Sequence, residues 1–211
     1  LIKLLLVTVL ISCGKDEDIL SDNSIGENVS ILVHPRQTDA NYSTTDKSHF
    51  IVRNTKNYLN KLMLFIGGSF SSPQDYTFIS EHSASIGFDV ISISYPNNVP
   101  AASLASSSNQ FAFDNYRDEI CFGNQVSNDV EVDILNSINR RIIKLIQYLE
   151  STYPEQNWNQ YLMPSNNIDW EKIVVAGHSQ GAGHACYLGK KRLVERAIMF
   201  SGPNDYSTHF N

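Results

Sequence analysis

Residues 174–185 read VVAGHSQGAGHA, and within them Gly177-His178-Ser179-Gln180-Gly181 sets one serine between two glycines. A serine hydroxyl serves as a nucleophile when a sharp turn lifts it clear of its surroundings and donors wait for the negative charge its attack creates. The pattern G-x-S-x-G alone is weak, since about one chain in fifteen of this length carries it by chance. Its setting is more telling. Lys172 to Ala176 (KIVVA) reads as a buried strand, and Gly181, Ala182, Gly183 and Ala185 open a helix, so Ser179 falls on a strand–turn–helix junction. Such a turn holds its serine in a strained conformation at a cost on the order of 1–3 kcal/mol. Bulk at positions 177 or 181 would collide with the neighbouring strand and helix, and the helix N-terminus favours negative charge on a substrate. The competing reading is a glycine-rich turn that only packs a helix on a sheet. Residue types and setting together favour Ser179 as a nucleophile.

A nucleophile of this kind needs two backbone N–H donors for the oxyanion, one of them on the following residue, which is Gln180. The other falls in the loop after Lys61–Ile66, where Gly67 and Gly68 let the backbone approach a substrate closely. Ser69 is the assignment and Phe70 the alternative; a plain tight turn is the simpler explanation of the two glycines.

The elements that must position these residues alternate along the chain. Strands are expected at His49–Arg53, Lys61–Ile66, Phe88–Tyr95, Lys172–Ala176 and Arg196–Phe200. Ser72-Pro73 reads as an N-cap and first position of a helix running to Ile86, with Gly87 as its left-handed C-cap. A short helix is expected around Phe111–Cys121. Ser127-Asn128-Asp129 offers an N-cap for the longest helix, whose stripe of Ile134, Leu135, Ile138, Ile142, Leu145, Ile146 and Leu149 makes one buried face. Strands separated by such helices imply parallel crossovers and an α/β fold, a mostly parallel sheet with helices on both faces. Ligands of these sheets sit at the carboxyl ends of the strands. Gly67-Gly68-Ser69, Pro96-Asn97, Gly177-His178-Ser179 and Ser201-Gly202-Pro203 all fall on that rim, whereas His34, His49 and His82 are expected away from it.

Taken in order, FIGG, ISISYPNN, the long helix, WEKIVVAGHSQGAGHA and RAIMFSGPND resemble an α/β-hydrolase. More narrowly they are similar to a little-characterised bacterial family marked by GHSQG-x-GHA, over roughly residues 60–205. The resemblance implies a serine hydrolase, esterase-like, acting on an ester substrate by acyl transfer to water without a cofactor or metal. It leaves the substrate open, because the fold hosts esterases, lipases, peptidases and non-enzymes alike; a non-catalytic surface lipoprotein that keeps the scaffold for binding is the alternative. It also implies the order nucleophile, acid, histidine. Asp205, just after the FSGP strand end, is the candidate acid, or else a helix cap. Among the histidines, His184 lies on the elbow helix as a packing residue and His209 precedes the strands that the base normally follows. The chain is therefore expected to be an incomplete or degenerate copy of a longer protein, lacking its C-terminal strands.

The N-terminus reads LIKLLLVTVLISC, a short apolar segment behind Lys3 that fits a signal peptide better than a span, which needs roughly 20 residues. Leu10-Ile11-Ser12-Cys13 resembles a bacterial lipobox, with Cys13 as the lipidated residue. Residues 1–12 are thus expected to be a signal peptide, 13–48 a polar tether and 49–211 the hydrolase domain. The lipid would bind the protein to a membrane, as a secreted lipoprotein of the outer membrane or cell surface. Gly14-Lys15-Asp16-Glu17-Asp18 fits a surface-export tract or a solvated linker. A net charge of −6 argues against nucleic acid as a partner. Cys121 and Cys186 could pair in an oxidising compartment, and sequence leaves that open, as it does the oligomeric state.

Overall fold

Period-two alternation builds the centre of the sheet in the computed structural model, which describes residues 26–209. In β3 (Leu62–Ile66), Leu62, Leu64 and Ile66 enter the larger apolar cluster on one face, and Met63 and Phe65 enter the smaller one on the other. Both sets are buried, which is why the strand reads as an unbroken apolar run. Its parallel neighbours are β4 (Asp89–Ile93), pairing Leu62 with Asp89, and β5 (Ile173–His178), pairing Leu62 with Ile173. β6 (Arg196–Phe200) lies parallel on the far side of β5.

On the other side the sheet turns antiparallel: β2 (His49–Asn54) pairs with β4, and β1 (Asn28–Val33) pairs with β2. The order is β1-β2-β4-β3-β5-β6. A four-residue α1 (Pro35–Thr38) and α2 (Thr77–Ser85), α3 (Ala112–Phe122), α4 (Ile138–Thr152) and α5 (Gln180–Lys191) complete the fold. α2 covers the smaller cluster, while α3, α4 and α5 pack on the larger one. The expected α/β fold, a mostly parallel sheet with helices on both faces, is the one observed.

Three expectations differ in detail. The sheet begins before His49, because residues 28–33 of the supposed tether form β1. Among the described residues that strand pairs along one edge and leaves Val29 and Leu32 about half exposed, so its composition looks like a linker. The long helix starts at Ile138 rather than near Asp129. The Glu119 carboxylate accepts from the amides of Val126, Ser127 and Val132, holding that stretch as a loop, and Ser137 supplies the cap by accepting from Arg140 N–H. Ile134 and Leu135, placed on the buried stripe, accordingly precede the helix and are exposed. Finally, antiparallel β2 carries His49 to the rim end of β4, where its Nδ1 accepts from Ser94 N–H at 3.0 Å. Cys13 and the rest of the leader lie outside the described residues, and no helix among those described is long and apolar enough to cross a membrane.

Candidate active site

Ser179 has φ 54° and ψ −118°, a conformation that only a constrained turn holds in a non-glycine residue. β5 ends immediately before it and α5 begins immediately after. Its N–H donates to Phe200 O at 2.9 Å and its carbonyl accepts from Ala182 N–H at 3.0 Å, so both strand and helix grip the turn. The flanking glycines are steric requirements: a Cβ on Gly177 would come within 2.2 Å of the Gly181 carbonyl oxygen, and one on Gly181 within 2.0 Å of Ile66 O. The Ser179 hydroxyl makes no hydrogen bond with the described residues.

The loop after β3 faces this turn and is tied down on almost every peptide. Tyr95 O–H donates to Gly67 O at 2.7 Å, and Gly68 N–H donates to the Tyr76 oxygen at 2.9 Å. Asn97, from the strand end YPNN, donates to Gly68 O at 2.8 Å and accepts at its own carbonyl from Phe70 N–H at 3.0 Å. Lys47 Nζ donates to Phe70 O at 2.9 Å. Phe70 N–H is thereby engaged, whereas the N–H groups of Ser69 and Gln180 find no acceptor among the described residues. Ser69 O–H instead donates to Gln180 Oε1 at 2.6 Å. A cavity of about 110 Å³ opens here, lined by Ser69, Ala101, Arg117, Ser179, Ser201 and Asp205 among others. A larger groove of about 560 Å³ lies elsewhere, around Arg53, Tyr58 and Gln156, and does not reach Ser179.

Asp205 reaches the cavity, but both of its oxygens face Arg117: Nε donates to Oδ2 at 2.7 Å and Nη2 makes the second bond, to Oδ1. Burial works against the Arg117 charge, yet the Asp205 carboxylate outweighs it and leaves the guanidinium above its ordinary pKa. Among the described residues no histidine side chain is hydrogen-bonded to Asp205 or Ser179. The Nδ1 of His178 lies 3.1 Å from the Tyr76 hydroxyl. His184 is fully buried between the rings of Tyr95 and Tyr116, with burial first and Arg117 second holding its pKa well below the ordinary value. His209 is exposed and outside the cavity lining. Cys121 is a buried thiol and Cys186 an exposed one, and they are not bonded to each other.

Sequence marks neither Arg117 nor the Gln180 side chain, and it places Asn97 on the rim without giving it a role. Their partners lie far along the chain, 88 residues apart for Arg117 and Asp205, and no local pattern marks such a pair.

No protein-family model matches this chain, and neither does any curated protein. Among solved structures it is similar to an inhibited esterase B from Lactobacillus rhamnosis, with 11% identity and a TM-score of 0.40, over 82% of this chain and 46% of that one. It is also similar to a bacterial heroin esterase, with 14% identity and a TM-score of 0.38, over 83% of this chain and 43% of that one. The chain thus spans less than half the length of these two proteins.

Proposed function

We propose that the protein is an esterase-like serine hydrolase. Ser179 Oγ attacks an ester carbonyl, the alcohol leaves, and water releases the acyl group from the serine. The N–H groups of Ser69 and Gln180 receive the oxyanion. One observation carries the reading: a strained serine with an unengaged hydroxyl stands beside two unengaged N–H groups on a tethered loop and a helix N-terminus. The engagement of Phe70 N–H by Asn97 favours Ser69 over Phe70 as the second donor. The proton of Ser179 needs a base. His209 is this chain's candidate by position, with Asp205 as the acid, although Asp205 serves Arg117 in the arrangement described above. Among the described residues no histidine is bonded to the Ser179 hydroxyl, and that favours a second reading, a binding scaffold without catalysis.

A fluorophosphonate probe separates the two. The expected result is labelling of the wild type and none of a folded Ser179→Ala variant; equal labelling of both removes the nucleophile. We further propose a lipid on Cys13 and a membrane location. Cys13→Ser should then shift the protein from the detergent phase to the aqueous phase, and a wild type found in the aqueous phase excludes the anchor.

A further inference from the structure

Gln180 is held from three directions. Its side-chain oxygen accepts from Ser69 O–H at 2.6 Å and from Ala101 N–H at 3.2 Å, and its carbonyl accepts from Arg117 Nη1 at 3.3 Å. The orientation of the amide is not ambiguous, because a backbone N–H can only donate and therefore faces the oxygen. With 5% of its surface exposed, Gln180 joins the β3 loop, the turn at Ala101, α3 and the start of α5. Among the described residues the Ser69 N–H finds no acceptor, while the N–H groups of Gly68 and Phe70 on either side of it are engaged.

We propose that the Gln180 side chain is the positioning residue of the oxyanion site: one amide oxygen, gripping Ser69 and Ala101, sets the distance between the Ser69 and Gln180 N–H groups. The proposal rests on the reading of Ser179 as nucleophile. An oxyanion site works only when its donors stand about 2.7–3.1 Å from where the charge develops, and a misplacement near 1 Å can cost about a hundredfold in rate. The two donors here belong to segments 111 residues apart. A direct bond between their own side chains is the shortest mechanical link between them. Glutamine suits the task because it accepts without charge. Glutamate would accept equally but would set a negative charge beside the developing oxyanion, and leucine would fill the space and accept nothing.

The test measures fluorophosphonate labelling of Ser179, with kcat and KM for p-nitrophenyl acetate, in the full chain. Gln180→Leu and Ser69→Ala, which keeps the Ser69 N–H, should each slow labelling and lower kcat about 10- to 100-fold with KM unchanged. Because both remove the same bond, the double variant should be no slower than the slower single. Single variants reacting at the wild-type rate, losses that multiply in the double, or an effect confined to KM would overturn the proposal while leaving the nucleophile in place. A folded wild type that is never labelled would remove both. Should Gln180→Leu fail to fold by circular dichroism, Ser69→Ala decides alone.

Discussion

Arg117 on α3 and Arg141 on α4 are both buried near the rim, and the protein stabilises them in different ways. Arg117 meets a carboxylate, that of Asp205. Arg141, with no exposed surface, meets none among the described residues: it donates to the carbonyls of Asn136, Ser94 and Thr44 and to Asn136 Oδ1, and lies 4.6 Å from the centre of the Tyr42 ring. The first guanidinium sits above its ordinary pKa, and burial pulls the second down to about 10. Dipoles and a ring compensate burial less fully than a charge does. Each arginine also adds to the effect of burial on a neutral histidine, His184 beside Arg117 and His49 beside Arg141. The carbonyl cage is woven from three loops of the scaffold. The ion pair at the site depends on a single residue near the end of the described chain, so the charge beside Ser179 is the more easily uncovered of the two.

Breaking the cage should have the largest effect. Arg141→Ala strips donors from four acceptors and opens a void against Tyr42, and should cost about 4 kcal/mol, read as a lower urea midpoint at constant slope. Breaking the ion pair comes next. Asp205→Asn leaves Arg117 buried without its counter-ion and should cost about 2 kcal/mol, less than a wholly buried pair because the Asp205 side chain is 27% exposed. The double variant Arg117→Met/Asp205→Asn should recover most of that loss; equal instability of single and double would show that packing, not charge, holds Arg117. A pH series sharpens the contrast on the caged side. Burial first, then Arg141 and His34, lower the His49 pKa from an ordinary 6.5 to about 3. Between those values the unfolded chain takes a proton that the folded one refuses, so stability falls as pH drops through that window. The loss from His49 at pH 5 should be on the order of 2 kcal/mol, and His49→Gln should remove it. The smallest effect belongs to an exposed pair. Asp114→Asn, which frees Lys190 at the surface, should change stability by less than about 0.5 kcal/mol, and a larger shift would mean that water screens these charges poorly.

Much of the centre was legible in the sequence. β3 is an unbroken apolar run that ends at Gly67, β4 and β5 are largely apolar and β-branched, and the elbow announces itself through Gly177 and Gly181, whose smallness is a local requirement. What stayed hidden depends on distance along the chain. β1 carries Asn28 and Ser30 and, among the described residues, pairs along one edge, so its pattern is weak. The cap of α4 is Ser137 rather than Ser127 because Glu119, on another helix, claims the amides of the earlier stretch. His49 comes to the rim only because β2 runs antiparallel. Asp205 looked like a free acid because nothing around it in sequence reveals Arg117.

The strand order also imposes a timetable. β2 and β3 emerge from the ribosome one after the other yet never pair, since β4 comes to lie between them. β3 can complete neither of its ladders until chain made later arrives, β4 on one side and then β5, more than a hundred residues downstream. Ser179 cannot be held in its turn before that second ladder closes, and its N–H waits longer still, for Phe200. The turn at Ser179 is therefore among the last of the described features to come into being, in a topology whose non-local pairings make folding slow. Pulsed hydrogen exchange during refolding should find the β3 amides protected no earlier than those of β4, and Ser179 protected after both.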